Sequence, residues 1–240
     1  MARLHEEFGS HNTLGRTSHA KAFLHAVKNW RLWLLCGGNM TIIGCYSLNY
    51  FNPTLVRGLG YTGSMAQYST SSSHLSSSES RLTASVTVPL YVTAFFIAVP
   101  VAIVADRMNT FRPILCASAL GLGALFCALS AGIYAYIPRY VFLVLINSMI
   151  WTANSPALSY ASGSMGPLDP ETRAISLAFV NALGNLAQIY GAYLFPARDA
   201  PKYLRGFGVY AGLLALGAGI YIAAFFLLRR SPFTSKTASR

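Results

Sequence analysis

PILCASALGLGALFCALSAGIYAYIP, Pro113–Pro138, runs through a single Arg139 into YVFLVLINSMIWTANSPALSYASGSMGPL, Tyr140–Leu168. Each piece exceeds the roughly 20 mostly apolar residues that a helix needs to cross a bilayer at about 1.5 Å rise per residue. A buried core helix of a soluble protein is shorter and carries charge on its outer face. Neither piece contains a charge. Two such stretches side by side decide the class: all-α, and in a membrane.

The same pattern recurs on both sides, in Leu32–Val56, Leu82–Ala105, Ala174–Ala197 and Gly206–Leu228. Every charged residue of the chain falls outside these six stretches. Charged residues are 10% of the composition, against roughly a quarter in an ordinary soluble domain. The expected architecture is a polytopic bundle of six transmembrane helices over residues 32–229. A basic tail precedes it (1–31) and a short tail follows (230–240).

The net charge of +11 would suggest nucleic acid in a soluble chain. Here Lys and Arg sit at helix ends, where they set topology, and no nucleic-acid partner is expected. The first 31 residues are polar and lack the apolar core of a signal peptide, so the first helix is expected to insert as an internal anchor. With the N-terminus inside, twelve Lys and Arg fall on the cytoplasmic side and six outside. Both termini are therefore expected in the cytoplasm, although Arg198, Lys202 and Arg205 oppose the trend.

Cys36, Cys45, Cys116 and Cys127 all lie in apolar segments without metal-ligand spacing, and read as small packing residues. His5, His11, His19, His25 and His74 lie outside the spans. No Asp, Glu, Lys, Arg or His falls within a stretch. That composition argues against an integral enzyme, and against an ion or proton relay within these helices. No metal and no cofactor are expected.

Carboxamides distinguish three of the stretches. Asn181, Asn185 and Gln188 are spaced i, i+4, i+7 and share one helix face, with Gly184 beside them. Asn147, Trp151 and Asn154 repeat that spacing ahead of Pro156. Asn39 and Tyr46 are seven apart, and Asn49 follows. An unpaired amide in hydrocarbon costs several kcal/mol, so these side chains should face protein or water. Individually each could simply join two helices, at about 0.6 kcal/mol. Three aligned stripes favour a polar path through the bundle. The third and sixth stretches hold only small, aliphatic and aromatic residues. They read as scaffold, with Gly121, Gly123, Gly212, Gly217 and Gly219 allowing close approach.

The region Asn52–Ser85 reads as one long loop. Its serine-rich part, 69–85, has too little to bury and is expected to be disordered. A flexible external loop, a glycosylated stalk and translated intron sequence all fit that composition. Joining Met65–Tyr68 directly to Thr87–Tyr91 would restore a short connection, which favours the intron.

Two sets of residues resemble a known family. Asp106-Arg107, with Arg112 trailing, resembles the cytoplasmic loop motif of the major facilitator superfamily, roughly G-x-x-x-D-R-x-G-R-R. Ala102 and Asn109 stand where glycines are usual. Glu171–Ala174, Gly184-Asn185-Leu186 and Arg198–Tyr203 resemble the last two helices of fungal anion:cation symporters, the allantoate, nicotinate and pantothenate permease group. Lys28–Trp33 and Thr87–Tyr91 resemble entries to that group's seventh and eighth helices.

The resemblance covers nearly all of residues 26–230. It implies the C-terminal half, helices 7–12, of a twelve-helix carrier. It further implies a small organic anion moved with protons by alternating access, a cytoplasmic gating loop at Asp106, Arg107 and Arg112, and a plasma-membrane location. The expected partners are membrane lipid, the substrate, and an N-terminal six-helix half or a second copy. The alternative is a truncated, non-transporting membrane remnant or partner protein.

Overall fold

The computed structural model describes residues 19–49, 75–133, 135–191 and 203–230. Among these, all regular structure is helical. A short helix α1 (His19–Val27) precedes α2 (Trp30–Cys45), whose start is fixed by Asn29. The Asn29 side chain accepts a bond of 3.2 Å from the Arg31 amide, satisfying one of the free donors of the first turn. The chain turns at Tyr46 and Ser47, where the Ser47 hydroxyl donates to the Gly44 carbonyl.

The next helix, α3 (Leu75–Arg107), contains Pro89 and Pro100. A 3-10 turn at Asn109–Phe111 leads into α4 (Arg112–Gly132), with Pro113 in its first turn where no amide donor is needed. Then come α5 (Tyr136–Ser164), α6 (Pro170–Leu186), a four-residue α7 (Gln188–Gly191) and α8 (Leu204–Arg230). Tyr203, just before α8, is buried at a positive φ of 44°.

Four of these helices are long and apolar enough to cross a membrane: Val88–Arg107 within α3, α4, Ile137–Ser164 within α5, and α8. The described parts of α2 and α6 hold 16 and 17 residues. The main contacts close a ring, α5–α4–α8–α2 and back to α5. Outside it, α3 packs on α5, α6 on α2, and α1 on α6.

Two buried clusters fill the bundle. One joins Ile42, Cys116, Leu120, Ile146, Ile150 and Leu214, from all four ring helices. The other joins Leu32, Leu35, Met165, Val180, Ala224 and Leu228, at the opposite end of α2. Close approach occurs where glycine leaves room. A Cβ on Gly217 of α8 would collide with the Thr41 hydroxyl of α2, and one on Gly184 of α6 would lie 2.5 Å from the Asn39 amide. Of the five glycines expected at such contacts, Gly123 and Gly217 meet neighbouring helices, whereas Gly121, Gly212 and Gly219 face open space. The outer surface is apolar, as at Phe95, Phe96, Leu216 and Phe226, which suits a lipid solvent.

Three expectations are corrected. The serine-rich region is helical from Leu75 onward, rather than coil to residue 85. Serine is a middling helix former, and extending a helix already nucleated costs far less than starting one. Residues 52–74 lie outside the described residues. The third stretch does not run to Pro138, because α4 stops at Gly132 and Pro138 falls in the first turn of α5, where proline is tolerated. Arg139 therefore enters a helix. It is buried at 6% exposure, its guanidinium 5.4 Å from the Phe207 ring, so the spans are not free of charge.

Candidate functional site

The three amide stripes have different fates. On α2, Asn39 is 2% exposed and its Nδ2 donates to the Val180 carbonyl of α6 at 3.1 Å. It acts at a helix–helix contact, and Gly184 of α6 supplies the space for it. One face of α6 is thus occupied by α2. The carboxamides lie elsewhere, for Asn181 and Asn185 are exposed and Gln188 is half-buried. Asn185 Nδ2 donates to the Asn181 carbonyl of its own helix at 2.9 Å, and Gln188 Nε2, at the start of α7, donates to Asn185 Oδ1 at 3.3 Å. Gly184, three residues after Asn181 and so about 60° round the helix from it, lies at the edge of that surface and makes room for Asn39 and Ile43 of α2.

The α5 stripe meets the end of α2. The Tyr46 and Trp151 rings have centroids 4.9 Å apart, and Tyr91 of α3 stands 6.4 Å from Trp151 at a near-perpendicular angle. Trp151 is partly open to the surroundings, Asn154 is half-buried and Asn147 is fully buried. Asn49, half-buried, follows Tyr46 by one turn through a bond from its amide to the Tyr46 carbonyl. Nearby hydroxyls are turned back on their own helix, Ser148 to the Val144 carbonyl and Thr152 to the Ser148 carbonyl.

At the other end of the bundle, the expected gating loop is a compact polar knot. Arg112 pairs with Asp106 at 3.3 Å, donates Nε to the Ala105 carbonyl at 3.1 Å, and donates Nη1 to the Ser159 carbonyl at 3.4 Å. One guanidinium therefore caps the last turn of α3 and ties it to α5. The Asp106 side chain is 71% exposed, so the ion pair itself contributes about 0–1 kcal/mol. Arg107 is exposed. Arg173, at the start of α6, holds the same end of α5 through Ser162 Oγ at 3.0 Å.

Sequence reasoning missed several of these residues. Tyr91 gave no polar signal, since an aromatic in a span reads as lipid-facing. Arg139 gave one, as the sole charge between Pro113 and Leu168. A tyrosine pair also locks the end of α2. Tyr190 donates to the Met40 carbonyl at 3.4 Å, and Tyr210 shares a hydrogen bond with Ser47. Gly44 and Gly191 give these groups room, because a Cβ on either would overlap the Tyr190 or Ser47 oxygen. Among the described residues, no group of His, Cys, Asp and Glu could hold a metal ion.

No protein-family model matches the chain. Among curated proteins, it is 31% identical over 191 residues to the MFS transporter prlL of a fungal species (strain NRRL 50135), a match covering 77% of this chain and 34% of that protein. It is 28% identical over 190 residues to the MFS-type transporter cnsO of Penicillium expansum, covering 77% of this chain and 33% of that protein. The chain thus spans about a third of the length of these relatives. Both are named as transporters. The chain is thus similar to part of two proteins named as major facilitator transporters, and its long apolar helices suit a membrane.

Proposed function

We propose that this chain supplies a six-helix half of a major facilitator carrier that moves a small organic solute by alternating access. The observation that carries the reading is the carboxamide set of Asn181 and Asn185 on α6 with Gln188 at the start of α7. These side chains are exposed or half-buried, beside the α6 surface that α2 occupies at Val180 and Gly184. Facing lipid, such a set would leave amide groups without water. It suits a water-filled path, walled on the far side by an N-terminal six-helix half or a second copy.

The resemblance to fungal anion:cation symporters points further, to a small organic anion, proton coupling and a plasma-membrane location. On this reading α2 and α6 complete spans through their continuations past Cys45 and Leu186, giving six crossings with both termini in the cytoplasm. The knot at Asp106 and Arg112 then holds the cytoplasmic end of α3 against α5 in one state of the cycle.

Single cysteines in the reconstituted protein test the path. Those replacing Asn154, Asn185 and Gln188 are expected to react with a membrane-impermeant thiol reagent. Those replacing Leu120, fully buried, and Leu216, on the apolar surface, are expected to resist. Equal resistance at all five positions would reduce the amides to helix contacts and favour a non-transporting membrane protein. Within a full-length carrier, Asn185→Leu is expected to lower uptake more than protein level.

A further inference from the structure

Buried polar atoms without partners are rare in folded proteins, and where they gather they mark bound water or a ligand. Among the described residues four such side-chain atoms belong to three residues around Trp151: the Tyr46 hydroxyl, both amide atoms of Asn147, and Asn154 Oδ1. Asn147 and Asn154 lie one turn to either side of Trp151 on the same α5 face. The Tyr46 ring lies against Trp151, and Tyr91 stands edge-on to Trp151 with ring centroids 6.4 Å apart. Two of the three rings, Trp151 at 39% and Tyr91 at 44%, remain partly open.

The chemistry of this place is flat and uncharged. Aromatic rings offer stacking faces, and a carboxamide offers both a donor and an acceptor. The nearest charge along α5 is Arg139, eight residues before Asn147, or about 12 Å at 1.5 Å rise per residue. The charges on α2 and α3 lie farther still along their helices, with fifteen residues separating Arg31 from Tyr46 and ten separating Arg81 from Tyr91.

We propose that Tyr46, Tyr91 and Trp151, with the carboxamides of Asn147 and Asn154, form a subsite for the neutral, planar, hydrogen-bonding end of the transported solute. The inference rests on the transport reading and narrows it. The part of the solute held here is a ring or amide plane bearing a donor and an acceptor, and any charge it carries is answered outside this set of residues.

The test uses the whole chain reconstituted in lipid nanodiscs. With Trp30→Phe and Trp33→Phe, Trp151 becomes the sole tryptophan reporter. Benzamide, benzoate and acetamide separate the three requirements, because benzoate swaps the neutral amide for a charge and acetamide removes the ring. Saturable quenching of Trp151 by benzamide is expected, with half-saturation at least tenfold higher for benzoate and acetamide. Asn147→Leu should raise the benzamide value at least tenfold at unchanged helical content by circular dichroism.

Benzoate binding as well as benzamide would overturn the proposal. So would the absence of saturable benzamide quenching in a chain of intact helicity, whether or not cysteines at Asn185 and Gln188 label. Benzamide binding without labelling there would leave the subsite standing and remove the α6 path instead.

Discussion

At Gly184 one hydrogen atom separates two helices from collision. A Cβ there would sit 2.5 Å from the Asn39 amide nitrogen and 2.7 Å from Ile43 Cδ1, and both neighbours are buried. Neither can swing away without losing the bond to Val180 or the packing beside it. Gly184→Val is therefore expected to cost about 1–3 kcal/mol by overpacking. Gly219→Val, into open space, should cost much less. Thermal unfolding in detergent compares the two, and equal midpoints would show that the α2–α6 contact is loose. Spacing alone placed Asn39 with Tyr46 on one polar stripe, because periodicity reports which residues share a face. It does not report what stands opposite. Asn39 meets a backbone carbonyl and Tyr46 meets a tryptophan, a difference made by helices more than a hundred residues away. Arg139 shows the converse: its charge was plain, but its burial depends on Phe207 of a distant helix.

Elements were legible in proportion to their apolar length. The positions of α3, α4, α5 and α8 follow from charge-free runs, since excluding charge from hydrocarbon overrides local propensity. Their ends did not follow, because prolines and serines near a terminus fit helix and turn alike. The breaks after Cys45 and Leu186 were also hidden, for each lies within an unbroken apolar run. The extra length of α3 has a measurable consequence. Its 33 residues amount to about 50 Å of helix at 1.5 Å per residue, well beyond a hydrocarbon core of about 30 Å. The apolar part is Val88–Arg107, so the serine-rich turns should stand clear of the bilayer. In sealed vesicles with the outer face exposed, trypsin is expected to cut after Arg81 and leave Val88–Arg107 protected. Protection of Arg81 would place those turns within the membrane or against the bundle.

For the molecule as a whole, the ring of α5, α4, α8 and α2 orders helices by contact rather than by sequence. No pattern in the chain revealed that order, since hydrocarbon rewards each span for being apolar without saying which neighbour it touches. Orientation is the whole-molecule property that the sequence does address. Glycosylation or cysteine tags at Ser72 and Ser235 are expected to report opposite sides of the membrane, with Ser235 cytoplasmic. Reports from the same side would overturn the orientation drawn from Lys and Arg. The bond between Asn39 and Val180 joins residues 141 positions apart, and during synthesis that distance becomes time. At roughly 5–20 residues per second, α2 leaves the ribosome on the order of ten seconds or more before α6 exists to receive its amide. Until then the Asn39 amide lacks this partner, and quality control has that interval in which to reject the nascent protein.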